Sequence, residues 1–199
     1  ATDKPYYAIS PIQQHIYILN EIAGKQTTAY NMPGIFNITG NVDIERVQYA
    51  FQSLIHRHEA LRTRFETIDG SLVQVIEADT QIKIDYEEEP NADIDELLED
   101  FVKPFNLQIA PLFRVKIVKR DDQRYILLFD IHHIISDGAS IYNVIREFSQ
   151  LYQGHKLEEV KLQYKNYSEW INNTDFSKQR TFWLSQFEDT LPILDLLLD

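Results

Sequence analysis

The sequence predicts an α/β chain in which a mixed sheet is layered by helices, and three observations carry that prediction. ALRTRFET and SLVQVIEA alternate apolar and polar residues on either side of an Asp69-Gly70 turn, the pattern of a β-hairpin. RYILLFDIHH places Ile126, Leu127, Leu128 and Phe129 in succession, so both faces of that strand are apolar, as in a central strand covered on each side. Segments with apolar residues at helical spacing lie before, between and after these strands. A chain with such hairpins is not a purely parallel sheet.

Taken in order, Ser10 is able to cap free amides and Pro11 is preset for a first turn, so residues 11–22 read as a helix. NMPGIFNIT, residues 31–39, reads as a strand closed by Gly40. Asp43 caps a second helix in which Ile44, Val47, Phe51, Leu54, Ile55 and His58 share one side, and which ends near His58. After the hairpin, QIKIDYEE (81–88) reads as a third strand. Asp93 opens a helix with the stripe Ile94, Leu97, Leu98 and Phe101, which stops before Pro104. LFRVKIVKR and RYILLFDIHH are strands joined by the polar turn Asp121-Asp122-Gln123. Beyond Gly138, the stripe Ile141, Val144, Ile145, Phe148 and Tyr152 marks a helix that ends at Gly154. Further helices are expected at about 164–172 and 176–189.

The 199 residues are 44% hydrophobic and 12% aromatic, enough to build a core for one large domain or two small ones. The roughly 18 unbroken apolar residues of a membrane span are missing, and ATDKPYY has neither the basic region nor the apolar core of a signal peptide. The chain therefore reads as soluble and cytoplasmic. With no cysteine, disulfides, thiolate nucleophiles and zinc-thiolate sites are excluded together. A net charge of −12 argues against nucleic acid and against anionic membrane as partners. The acidic run DYEEEPNADIDELLED, residues 85–100, reads as a solvated loop leading into a helix.

IHHIISDGAS, residues 131–140, sets two histidines at the exit of the apolar strand and an Asp-Gly pair before a helix. Strand ends followed by loops are where α/β proteins build sites. If the strand persists, His132 and His133 face opposite ways, one inward and one toward an opening. That arrangement is poor for a metal, and no further ligands converge. Two readings stay open on spacing alone. In one, both rings are hydrogen-bonded structural groups and Asp137 caps the next helix; in the other, one imidazole is catalytic. Gly138 permits a conformation or a close approach that a Cβ would forbid. Ser140 reads as a polar residue of the first turn. His56 and His58, at a helix C-terminus, read as satisfied groups, and Tyr164, Tyr167 and Trp170 as one helical face packed in the core.

The motifs resemble those of the condensation domains of nonribosomal peptide synthetases, whose fold is like that of chloramphenicol acetyltransferase. HHIISDG (132–138) matches the family's HHxxxDG; SPIQQHIYIL (10–19) is similar to SxAQxRLWxL; RHEALRTRF (57–65) fits RHExLRTxF; and YKNYSEW (164–170) is similar to YxDxxxW. His15 stands where the first motif has Arg, and Ile12 where it has Ala, so no role of that arginine carries over. The match runs along essentially the whole chain, but the family's domain is about twice as long, so the resemblance implies an N-terminal lobe whose C-terminal partner lobe is absent from these 199 residues. LPILDLLLD, at the end, resembles the stretch leading to that second lobe.

The resemblance implies amide-bond formation, in which the amine of an acceptor aminoacyl thioester attacks a donor acyl or peptidyl thioester. Both substrates would be delivered on phosphopantetheine arms of upstream and downstream peptidyl carrier proteins, beside an adenylation domain, with no cofactor or metal bound directly. It assigns catalysis to His133, as base or as a positioning group, with His132 and Gly138 in the same motif. Asp137 is implied to form a structural ion pair with Arg62, and Arg57 and Glu59 to serve as scaffold. The Gly138–Ser140 amides would help polarise a carbonyl. TTAYNMP (27–33) resembles domains that join two L-residues. The isolated lobe is expected to be inactive. Two alternatives are a non-catalytic module that docks carrier proteins and an acyltransferase of the same fold that uses coenzyme A.

Overall fold

The computed structural model describes residues 4–24 and 26–187. A two-residue strand β1 (Tyr7–Ala8) precedes helix α1 (Pro11–Ala23), strand β2 (Asn31–Thr39) and helix α2 (Ile44–Arg57). A 3₁₀ turn at Glu59–Arg62 leads into the hairpin β3 (Thr63–Ile68) and β4 (Ser71–Ile76). Strand β5 (Asp85–Glu88), helix α3 (Ile94–Phe101), and strands β6 (Phe113–Asp121) and β7 (Arg124–His132) follow, then helices α4 (Gly138–Tyr152), α5 (Tyr164–Asn173) and α6 (Ser177–Ser185).

The main sheet has the order β2-β7-β6-β5, antiparallel except for the β5/β6 pair, so it is mixed as expected. The hairpin and β1 form a second sheet, β1-β4-β3. Strand β7 lies inside the main sheet, and every residue from Tyr125 to His132 is buried. Its odd residues Leu127, Phe129 and Ile131 join α2 and α4 in the larger core; Ile126 and Leu128 join α3 in a smaller core on the other face. Two apolar faces on one strand thus correspond to two cores, as the unbroken run predicts.

The helix starts are written in side chains. Ser10 and Gln13 form a reciprocal capping box below Pro11, and Asp43, Asp93 and Asp137 each accept amide hydrogens at the starts of α2, α3 and α4. Asp69 and Gly70 both have positive φ, 50° and 77°, as a two-residue hairpin turn of this twist requires. One expectation is corrected: only Asp85–Glu88 of the segment 81–88 forms a strand. Ile82 and Ile84 are buried, but their amides donate to Gln52 Oε1 and Gln48 Oε1 on α2, each at 3.0 Å, so helix side chains replace a sheet ladder. The last predicted helix runs from Ser177 to Ser185, and the segment LPILDLLLD lies outside the described residues. No described helix is long and apolar enough to cross a membrane.

Candidate active site

Where β7 ends, the two histidines part. His132 is 1% exposed; its Nδ1 accepts the Ile134 amide at 3.1 Å, which leaves Nε2 to carry the hydrogen toward Asn20 Oδ1 at 3.4 Å. Burial, aided by the neighbouring His133, pushes its pKa down to about 4, so the ring is neutral. Tyr30 and Phe105 flank it at ring separations of 6.1 and 6.0 Å. His133 is exposed, and its Nδ1 lies 2.7 Å from the Ser136 carbonyl oxygen. A carbonyl only accepts, so Nδ1 carries the hydrogen and Nε2 is the nitrogen left to face the cavity, with no partner among the described residues.

That ring borders a cavity of about 320 Å³, shared with Ile12 and Ile16 of α1, Asp137 and Ser140, and Tyr164 and Tyr167 of α5. Helix α5 is held against the start of α1 by the Tyr164 hydroxyl 2.9 Å from Ser10 Oγ and by Asn172 Nδ2 donating to the Ile9 carbonyl at 2.7 Å. Three of the sequence motifs therefore converge on one space, and sequence reasoning named His133 but not the apolar wall of Ile12 and Ile16. The Gln13 of the first motif is the buried brace here, bonded to Ser10.

The aromatic face of α5 corrects another expectation. Tyr164, Tyr167 and Trp170 do pack side by side, with ring centroids 5.4 and 5.8 Å apart and the rings tilted, but Tyr167 is 39% and Trp170 59% exposed. Ser168 is the buried residue of this helix, so its small polar side faces the protein and its aromatic side faces the cavity and solvent.

Asp137 and Arg62 also differ from the implied ion pair. Asp137 Oδ1 accepts the Ser140 amide at 2.8 Å and the Ser140 hydroxyl at 2.7 Å, bonds that hold its carboxyl below the usual range. Arg62 instead donates Nη1 to the Glu77 carbonyl and lies 3.8 Å from Glu59 Oε1; among the described residues no ion pair joins it to Asp137. The physical reason is local: a helix N-terminus offers Asp137 donors in its own first turn. The same contacts occupy the Ser140 amide, and the Ala139 amide also faces that carboxylate, so only the Gly138 amide remains of the three expected carbonyl donors. Gly138 has no positive φ, and a Cβ there would meet nothing within 4 Å, so the fold itself does not demand glycine at this position.

The second motif acts as scaffold through a residue the sequence did not single out. Glu147 of α4, 7% exposed, accepts from Arg57 Nε at 2.9 Å and lies 2.6 Å from His58 Nε2, while Glu59 takes Lys165 Nζ at 2.8 Å. Burial pushes the Glu147 carboxyl up, but His58 and Arg57 outweigh it and hold the pKa below the ordinary value. A glutamate among the apolar residues facing α2 was the available signal. No group of three or more metal-ligating side chains is present among the described residues.

The described elements form an α/β fold in which a mixed sheet is layered by helices and a histidine is exposed at the exit of the central strand. Solved structures agree: the chain superposes on the starter condensation domain of rhizomide synthetase RzmA with a TM-score of 0.77 at 22% identity, covering 96% of this chain and 52% of that one. It also superposes on the complex of the X-domain and OxyB from teicoplanin biosynthesis with a TM-score of 0.83 at 18% identity, covering 98% and 46%. The Condensation domain family model matches residues 4–199, and the chain belongs to that family. It is 42% identical to gramicidin S synthase 2 of Aneurinibacillus migulanus over 202 residues and 42% identical to surfactin synthase subunit 1 of Bacillus subtilis (strain 168) over 203. All of this chain is covered in both alignments, but only 4% and 6% of those relatives.

Proposed function

We propose that this chain is the N-terminal, catalytic-motif-bearing lobe of a nonribosomal peptide synthetase condensation domain, and that the complete domain forms amide bonds by aminolysis of a carrier-bound thioester. The observation that carries this reading is His133, whose Nδ1 is committed to the Ser136 carbonyl and whose Nε2 is left to face a cavity of about 320 Å³. The acceptor amine attacks the thioester carbonyl carbon as the C–N bond forms. The C–S bond then breaks, and the departing pantetheine sulfur takes up the proton that the amine loses, passed to it by His133. His133 Nε2 accepts a hydrogen bond from the amine and receives the proton it loses. Orientation is the larger share, since effective molarities reach about 10⁵–10⁸ M while a general base contributes about 10²–10⁴-fold.

Upstream and downstream peptidyl carrier proteins deliver both substrates on phosphopantetheine arms, after loading by an adenylation domain, in the cytoplasm. A C-terminal lobe supplies the opposite wall; in support, this chain covers 52% of the solved starter condensation domain. The lobe alone is inactive. Asp137 supports the site by capping α4, Arg62 by holding the turn before β3, and His132 by anchoring the strand exit, while the Gly138 amide faces the carbonyl.

The test combines the chain with its second lobe and two loaded carrier proteins and reads dipeptidyl thioester by mass spectrometry. His133→Ala lowers the rate by at least about 10²-fold, the low end of what a general base contributes. Unchanged product with that variant defeats the assignment.

A further inference from the structure

A second cavity, of about 200 Å³, lies between the main sheet and α4. Phe36, Phe129, Ile131, Ile141, Val144 and Phe148 are among its walls, and its one polar side chain, Ser149, donates its hydroxyl to the Ile145 carbonyl at 3.0 Å. Such a space offers water no partners; an apolar cavity of about 150 Å³ in another protein stays dry and takes benzene. It adjoins the site already described. Ser140 lines the His133 cavity and Ile141 lines this one, while Ile131 stands two residues before His133 along the strand.

One wall is arranged around a missing side chain. Gly34 pairs with Phe129 across β2 and β7, and a Cβ at Gly34 would stand 2.2 Å from the Phe129 ring. Phe36 stacks on that ring at 5.8 Å. Gly34 thus decides where the Phe129 ring rests, and with it the shape of the cavity.

We propose that this cavity is a recognition pocket for one apolar group, of the size of an aliphatic or benzenoid amino-acid side chain or a short acyl chain, carried by a thioester substrate that reacts at His133. The proposal deepens the amide-forming reading and rests on it. Val144 and Gly34 are its specificity-determining positions, because a larger side chain at the first fills the space and a Cβ at the second displaces the Phe129 ring that walls it.

Two experiments separate the pocket from the reaction. In the first, benzene is titrated into the 199-residue chain and followed by methyl NMR of Ile141 and Val144. Saturable shifts are expected, and they disappear in Val144→Phe; Gly34→Ala is the second variant should Val144→Phe not fold. No saturable binding by the folded wild-type chain overturns the pocket, whatever its activity. In the second, the complete domain is given donor thioesters bearing Ala, Leu or Phe with one acceptor, and then the reverse set. Val144→Phe lowers turnover of the Leu or Phe substrate at least about 10-fold relative to Ala, the discrimination a few methylenes support. Selectivity on the donor side assigns the group to the donor, and on the acceptor side to the acceptor. Unchanged selectivity on both sides overturns the recognition role. Absence of turnover by wild-type domain tells against the amide-forming reading, and the benzene titration still decides the pocket.

Discussion

The two adjacent imidazoles at the exit of β7 sit in different media. His132 is walled in by Tyr30, Phe105 and Asn20, whereas His133 borders the cavity. Strand alternation makes that division legible in the sequence, but not which ring faces which way. The buried ring has a thermodynamic signature. Its folded pKa of about 4 lies below the ordinary 6.5, so between those values the unfolded chain binds a proton that the folded chain refuses. Stability is therefore full above pH 6.5 and falls as pH drops toward 4. At about 1.4 kcal/mol per pH unit, wild type loses about 2 kcal/mol more than His132→Gln between pH 7 and 4.5, measured by urea unfolding. Equal losses would mean that His132 is not held neutral in the folded chain.

At the level of elements, helix α4 links the site to the rest of the lobe. Its first turn is closed by Asp137 and its body is tied to the C-terminus of α2 by Glu147, Arg57 and His58. The caps Ser10, Asp43, Asp93 and Asp137 were readable because a cap is a local interaction between residues three apart. The true partners of Arg62 and the fate of residues 81–84 were not, since both depend on side chains brought from distant parts of the chain. For Asp137 and Arg62 the structure predicts independence. Asp137→Ala removes a helix cap and costs about 1 kcal/mol, Arg62→Ala removes separate contacts, and a double-mutant cycle gives a coupling below about 0.5 kcal/mol. A coupling of several kcal/mol in denaturant melts would restore the ion pair. The outward aromatic face of α5 was misread for a similar reason: helical spacing shows that Tyr164, Tyr167 and Trp170 share a side, but not which side the protein covers.

Across the described residues, the two cores lie on opposite faces of one sheet, and large apolar side chains stand exposed on α5, on α6 and just beyond α6. Trp170 and Trp183 are 59% and 60% exposed, and Phe187 is 60% exposed. Patches of this kind mark interaction surfaces. These are the chain's two tryptophans, so their fluorescence reports directly on the proposed second lobe. Adding that lobe shifts the emission to shorter wavelength as the indoles leave water; an unchanged spectrum at saturating lobe would place the contact elsewhere. The mixed sheet, its central strand and the His133 position were all legible in the sequence. The two cavities were not, because each is bounded by side chains from three or more separate elements.

The division of roles between the histidines is open to one direct measurement, the ¹⁵N chemical shifts of both imidazoles at neutral pH. The structure predicts opposite placements of the ring hydrogen, on Nε2 in His132 and on Nδ1 in His133, so that His133 Nε2 is the nitrogen free to meet an amine. Finding His133 with its hydrogen on Nε2 and a bare Nδ1 would contradict it.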